Sequence, residues 1–522
     1  MTELRPIDQA FARMLTRRAG LSPDAALERT LGLPNLALSE GDLCARLDKQ
    51  QQAQVHAVPS IVRSAASNET TPLVLDGDLL YLDRTWRDET LIVDALRARA
   101  AAPSSISPSA AAALVAQVFS DHPDEEDQRQ AVALALTRRF ALITGGPGTG
   151  KTTVVRRLLL CLEKAGGAPR VALAAPTGKA TDRLREQVGD VGLPMEKSTL
   201  HSLLAVKNLD SESYRRGPLD PICADVVIVD EASMVDARQM ARLLGALRPE
   251  TSLVLLGDAD QLQAVASGAV LADICRSTGP VKACIARLEH NWRAEGKGIL
   301  DLAAAIRKED PDACAQVLAS ATDVELVTGG LETELKPRVL QTWTDLATLP
   351  AAQALQQFRT LRVLCAHRHG PKGVSGVNRM VEGWLARGGH IKAGREWYEG
   401  RPVMVRRNDY GLDLRNGNTA LIRQSEAVFD LDGYPTFPPS LLPQHETCYA
   451  TTVHKAQGSE GQQVVVVLPD QASPLLTKEL LYTAVTRASK RVTLIGSQEV
   501  LAMAVTNPTH RVSGLTERLS RP

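Results

Sequence analysis

Short, unbroken apolar runs recur along this chain, with helix-patterned polar stretches between them. Phe140–Thr144, Val171–Ala175, Val226–Val229 and Leu253–Leu256 are apolar at nearly every position. A strand with one wet face alternates, whereas a strand covered on both faces does not. These runs therefore predict parallel strands sandwiched by helices. Between them, Thr153–Lys164 places Leu158, Leu159 and Leu162 on one helical face, and Lys179–Val188 and Ala237–Leu247 read as further helices. The alternation predicts a doubly wound α/β domain over 109–350. It restarts with strands at Leu361–Ala366, Thr447–Val453, Val464–Leu468 and Val492–Ile495 and a helix near Asn378–Leu385, giving a second α/β domain over 351–522.

Two regions depart from that rhythm. Short strands around Gly400–Val405 and Asn416–Thr419, with an Asn416-Gly417 step that favours a tight hairpin turn, predict a small β module inserted at about 394–445. Residues 1–108 read as short helices broken at Ser22-Pro23-Asp24, at Gly32-Leu33-Pro34 and at a polar loop over Ser64–Thr71. Leu79–Leu82 reads as either a strand or a buried turn, and Ala100–Pro108 as a link. Asn507–Pro522 reads as frayed.

Composition narrows the classes. A chain of 522 residues has room for two to four domains, and 60 Lys+Arg against 60 Asp+Glu leaves no net charge. Any affinity for nucleic acid must then come from a local basic groove. Eight cysteines occur without a C-x-x-C pair, which argues against zinc ribbons and suits a reducing cytoplasm. The first twenty residues carry Arg5, Asp8, Arg13, Arg17 and Arg18 and no apolar segment, and no run is long enough to span a bilayer, so a signal peptide and a membrane anchor are not expected.

The densest chemistry follows the first apolar run. Gly145-Gly146-Pro147-Gly148-Thr149-Gly150-Lys151-Thr152 has the form G-x-x-x-x-G-K-[ST], and Thr153 opens the following helix. The glycines let backbone N–H groups turn inward around a polyphosphate, and the helix N-terminus adds partial positive charge. Lys151 is placed for the β- and γ-phosphates and the Thr152 hydroxyl for Mg²⁺. Strand before and helix after rule against a chance glycine-rich turn, so nucleoside triphosphate binding is expected. Val226–Val229 ends on Asp230 and Glu231, suited to holding metal and orienting water. Leu255–Gly257 feeds Asp258 to Gln261, where Gln261 reads as a γ-phosphate sensor and ordinary loop chemistry reads equally well. Trp292 reads as a base-stacking indole or as a core residue beside Arg293. Thr452–Glu460 is dense in groups that bind phosphate or sugar. Arg487, on a helix through Leu481–Ala488, reads as a γ-phosphate arginine or as a solvated helix-face residue.

Taken in order, Gly145–Thr152, Ala175–Ala180, Asp230–Ser233, Gly257–Leu262, Asn291–Arg293, Thr452–Glu460 and Tyr482–Arg487 resemble the motif set of superfamily 1 helicases. Asp127-Gln128, Ala135–Arg139, Cys365-Ala366 with Gly373-Val374, Trp397–Met404 and Asn408-Asp409 narrow the resemblance to the RecD family, the alpha subunits of exodeoxyribonuclease V. It runs from about 120 to 500. It implies two RecA-like P-loop NTPase domains, an SH3-like β insertion and a mainly helical N-terminal domain that docks on a RecC-like subunit. It implies a 5′→3′ ATP-dependent DNA helicase acting on single strands and duplex ends beside RecB-like and RecC-like subunits, in double-strand-break repair and recombination. Nuclease activity would belong to a partner.

Residue by residue, the resemblance gives Gln128 the adenine edge and Gly145, Gly146, Pro147, Gly148, Thr149, Gly150, Lys151, Thr152 and Thr153 the phosphates. It gives Thr152 and Asp230 the metal, Glu231 the water, and Gln261, Arg293 and Arg487 the γ-phosphate. Trp292 stands where many members carry Tyr, and Glu460 would meet the ribose. Pro176, Thr177, Lys179, Thr452, His454 and Lys455 would form the single-strand track. Val206–Cys223 would hold the strand-splitting hairpin, with Tyr214 its aromatic. A Lys151→Gln variant is expected to lose DNA-stimulated ATP hydrolysis; a normal rate of phosphate release would refute the nucleotide reading.

Overall fold

The computed structural model describes residues 3–119, 122–208, 213–292, 296–392, 394, 396–409 and 411–521. The four apolar runs of the first half are strands of one parallel sheet. Its order is Ile285–Leu288, Phe140–Gly145, Ser252–Gly257, Val226–Val229, Val171–Ala175 and Met195–Thr199. The two edge strands, at Met195 and Ile285, are amphipathic and were not foreseen from the apolar pattern. Alternate residues face two separate cores: Leu142, Val227 and Leu255 on one side, and Ile143, Ile228 and Val254 on the other. Because every strand runs the same way, Gly145, Ala175, Val229 and Gly257 all end at one edge. The loops that follow them meet there.

The second sheet is also parallel, in the order Val324–Val327, Ala488–Ile495, Gly461–Val467, Leu361–Cys365 and Ala450–Thr452. This moves the boundary set at 350. Val324–Val327 pairs with Val492–Ile495, and the Lys297–Arg307 helix buries Ile299, Leu302 and Ile306 in the second body's core. Residues 297–349 therefore belong to the second body. The sequence pattern missed this because strand–helix alternation continues unbroken across the junction, and local periodicity does not say which sheet a strand joins.

The β module is antiparallel, in the order Thr436–Phe437, Glu426–Phe429, Thr419–Arg423, Pro402–Val405 and His445–Thr447. Asn416-Gly417 forms the expected tight turn, closed by the Asn418 backbone donating to the Arg415 carbonyl at 3.0 Å, but it is not the tip of the long hairpin. Asp409 and Leu414 exchange backbone hydrogen bonds at 2.7 and 2.9 Å, so the tip lies further out. Gly417, at φ 94°, only redirects the chain into the next strand.

In the N-terminal region Leu79–Leu82 is a strand, within a small sheet with Cys44–Arg46, Leu73–Asp76 and Val62–Ser64. The break expected at Gly32-Leu33-Pro34 is absent. The helix runs Ala25–Glu40 through Pro34, capped by the Asp24 carboxylate and by Gly41 at φ 94°, with Leu31 fully buried. Tertiary burial and good caps outweigh the lost backbone bond. The Asp83–Ala101 helix carries Ile92, Val93 and Leu96 into the first body's core, so the N-terminal region and that body share apolar packing. The hairpin Val206–Asn208 with Ser213–Tyr214 is present, and its tip at 209–212 lies outside the described residues. Tyr214 packs against the first core, with the Arg242 guanidinium 6.0 Å from its ring.

The C-terminal stretch is not frayed. Leu515–Ser520 is a helix that returns to the first body, where Leu515 and Leu519 are fully buried. Arg518 donates to Glu89 at 3.1 Å and lies 4.1 Å over the Trp86 ring. Glu89 also accepts from Tyr81 Oη and the Gly514 backbone. One helical turn of apolar residues is too short to register as a pattern. Leu519→Ala should cost about 2–5 kcal/mol by leaving a cavity, read as a lower urea midpoint; an unchanged midpoint would show that this helix does not hold the bodies together.

Candidate functional site

The loop after Phe140–Gly145 forms a cradle. Gly148 and Gly150 adopt φ 83° and 84°, the left-handed region where glycine has no steric penalty. A Cβ on Gly150 would lie 2.3 Å from Gln128 Nε2, so a side chain there has no room. Lys151 Nζ donates to the Gly145 and Gly146 carbonyls at 2.6 and 3.0 Å, and Thr149 Oγ1 donates to Gly146 at 2.8 Å. Gln128 braces the loop: its Nε2 donates to the Thr149 carbonyl at 3.3 Å, and its Oε1 accepts from Arg157, itself held by Glu125. Asn291 Nδ2 donates to Pro147 at 2.8 Å, and the Trp292 backbone donates to Gly148 at 2.9 Å. Trp292 is 42% exposed, so it is not a core tryptophan; its ring packs edge-on to His290. Arg293 lies outside the described residues.

Asp230 and Glu231 follow the Val226–Val229 strand at the same edge. The Glu231 backbone N–H donates to Asp230 Oδ1 at 2.9 Å, and Glu231 sits at φ 52°, a strained conformation for a residue with a side chain. Burial first, then the neighbouring Glu231 charge, pushes the Asp230 carboxyl up to about 6. The desolvated Asp230 carboxylate, with Glu231 next to it and Lys151 and the Thr152 hydroxyl on the same cavity, is a donor set that a divalent cation and a polyphosphate fit.

Next along the edge, Asp258 is a junction. Its Oδ2 accepts from Gln261 Nε2 at 3.1 Å and from Tyr482 Oη at 3.0 Å. Gln261 is buried, and its Oε1 has no partner among the described residues. Tyr482 belongs to the second body, so this carboxylate ties the two bodies together. Beside it, the Leu262 backbone donates to Thr483 Oγ1 at 2.8 Å, and Gln457 Nε2 donates to the Leu262 carbonyl at 3.1 Å. The helix carrying Tyr482 ends at Val485, so Arg487 lies in the turn entering the Ala488–Ile495 strand, not on the helix. It is only 3% exposed and donates to the Thr483 carbonyl at 3.2 Å, which removes the solvated-face reading.

A cavity of about 450 Å³ collects these groups. The first body contributes Pro147, Gly148, Gly150, Lys151, Thr152, Thr153, Asp230, Glu231 and Gln261, and the second contributes Glu460 and Arg487. Gln128 and Trp292 do not line it; they stand on the other side of the loop, beside Gly150. Arg183 also lines it, a residue the sequence reading passed over. Its one signal was position, one helical turn after Lys179.

The residues assigned to a strand track fall at matching edges. Pro176 and Thr177 follow Val171–Ala175, where Thr177 Oγ1 caps the Gly178–Val188 helix by accepting from Ala180. Lys179, one residue into that helix, lines a neighbouring cleft of about 900 Å³ with Arg359, Arg362 and Arg415. Burial, then the Arg362 charge, pushes its ammonium down to about 8. In the second body Thr452, His454 and Lys455 follow Ala450–Thr452. Thr452 Oγ1 accepts from the Lys455 backbone, burial lowers the His454 pKa, and Lys455 pairs with Glu446, which also meets Arg368 and Arg406.

The family model for an AAA domain matches residues 124–329, and that for a UvrD-like helicase C-terminal domain matches 447–495. Twin parallel sheets with a phosphate loop on one, a buried arginine on the other and a cavity between them define an ATP-dependent DNA helicase. The chain is 37% identical to the RecBCD enzyme subunit RecD of Mycolicibacterium smegmatis over 99% of its length and 97% of the relative's. It is 40% identical to that of Mycobacterium tuberculosis over 85% and 80%, respectively. It is 31% identical to the ATP-dependent RecD2 DNA helicase of Deinococcus radiodurans, over 76% of this chain and 52% of that one. The chain belongs to the RecD family of RecBCD enzyme subunits. Arg487→Ala is expected to cut kcat for ATP about 10³-fold or more, with Arg487→Lys no rescue because the planar fork is lost; a loss under tenfold in steady-state hydrolysis would remove Arg487 from the chemistry.

Proposed function

We propose that this chain is the 5′→3′ motor of a three-subunit assembly, working beside RecB-like and RecC-like subunits on DNA ends in break repair and recombination, in the cytoplasm. The observation that carries the reading is the single cavity walled by Lys151 from one body and Arg487 from the other. ATP would lie there with its phosphates in the 145–153 loop. Thr152 and Asp230 would hold Mg²⁺, which neutralises phosphate charge when bound. Lys151 and Arg487 would stabilise charge on the γ-phosphate from opposite sides, while Glu231 orients the attacking water and accepts its proton. Arg293 would add a further cation. Gln128 and Trp292 flank the loop where an adenine edge and face would be read.

Release of the cleaved phosphate removes charge that draws the two arms together, so the cleft relaxes about the Asp258–Tyr482 and Leu262–Thr483 seam. A single strand lying across both sheet edges would then be gripped alternately by Pro176, Thr177 and Lys179 and by Thr452, His454 and Lys455. The antiparallel module over 394–445 would be the SH3-like insertion. Residues 1–108 would be the partner-docking domain; the helix Pro6–Arg18 supports this by exposing Ile7 and Met14 at 64% and 51%. Among the described residues no helix is long and apolar enough to cross a membrane.

In a strand-displacement assay with the partner subunits, duplexes with 5′ single-stranded tails are expected to be unwound by this chain's motor and those with 3′ tails are not; the reverse preference would overturn the direction. Affinity for an oligothymidylate should fall steeply with added salt, because phosphate contacts release counterions.

A further inference from the structure

The nucleotide cavity and the larger cleft that Lys179 lines, whose walls carry charges of both signs, share a wall. Arg183, Gln187, Gly458 and Glu460 line both. Arg183 and Gln187 stand on the Gly178–Val188 helix of the first body. Gly458 and Glu460 immediately precede the Gly461–Val467 strand of the second. Across this wall Arg183 Nη2 donates to Glu460 Oε1 at 3.0 Å, with side chains 38% and 33% exposed.

Both ends of the pair face both cavities. Arg183 lies in the field of Asp230 and Glu231: burial works against its charge, but Glu460, then those two carboxylates, hold its pKa above the ordinary arginine value. On the same helix, one turn earlier, Lys179 lines the larger cleft. Glu460 closes the segment that begins at Thr452, His454 and Lys455. The pair therefore joins the two carriers of the proposed strand track at the point where they also wall the nucleotide.

A half-exposed ion pair is weak, because water screens it and two long side chains must be ordered. It cannot hold the bodies shut, which the buried seam at Leu262 does. Weakness instead makes it exchangeable. A triphosphate in the cavity attracts Arg183 and repels Glu460, and a ribose hydroxyl donates to Glu460. Either contact draws on the same two groups that bridge the cleft.

We propose that the Arg183–Glu460 pair is the positioning link that couples nucleotide occupancy to strand grip. Its exchange for nucleotide contacts shifts the Lys179 helix against the Thr452–Glu460 segment. The inference rests on the assignment of ATP to the cavity and of a single strand to the sheet edges. By linkage, the factor by which nucleotide changes strand affinity equals the factor by which strand changes nucleotide affinity.

The test measures that factor on the full chain, from the anisotropy of labelled oligothymidylate with and without a non-hydrolysable ATP analogue and magnesium. Wild type should show a shift of about fivefold or more. Arg183→Ala and Glu460→Gln should each reduce it to under about twofold, and the double variant should lose no more. A variant that loses nucleotide affinity yet keeps the wild-type factor would confine the pair to nucleotide binding and overturn the link. A wild-type chain whose strand affinity ignores the nucleotide would overturn the functional reading and the link with it.

Discussion

A guanidinium withdrawn from water is costly unless something in its surroundings uses the charge, and Arg487 is 3% exposed at the edge of a cavity. That burial is set by the second body's own sheet: the turn after Val485 must enter the Ala488–Ile495 strand, and the Thr483 carbonyl fixes the side chain on the way. Lys151 reaches the same cavity because the first sheet ends its central strand at a glycine loop. The two parallel sheets, facing each other edge to edge, turn a pair of ordinary α/β layers into a two-part site.

The seam between the bodies is built differently from the cavity. At Asp258, Tyr482, Leu262 and Thr483 the groups are buried and their hydrogen bonds short, and Leu262 sits in the second body's apolar core although it follows the Ser252–Gly257 strand of the first. At Arg183 and Glu460 the contact is half-open. A tight hinge with a loose rim allows motion at the rim without loss of registry at the hinge. Gln261, with its Oε1 unpartnered among the described residues, lies between the two regimes.

What the sequence disclosed follows from what is local. The central strands were legible because burial on both faces removes polar positions from them, and the glycine loop because its chemistry is a matter of backbone conformation over eight residues. Asp230, Glu231, Gln261 and Arg487 were legible through their strand-end or motif setting, and the cavity gathers them. The rest depended on distance along the chain. The sheet to which Val324–Val327 belongs is decided by Val492–Ile495. The helix through Pro34 is decided by packing, and the order of Leu515–Ser520 by a Glu89 more than four hundred residues away. Arg183 was invisible because its partner is 277 positions later, and no periodicity marks such a pairing.

The returning Leu515–Ser520 helix changes what kind of machine the molecule can be. The backbone passes from the first body to the second between Leu288 and Lys297, then comes home between Val505 and Leu515. Two lobes joined by one ribbon can swivel in any direction; joined by two, they are left with rotation about the line through both crossings. Much of the stroke's direction is thus written into the connectivity of the polypeptide, before any fuel or track is engaged.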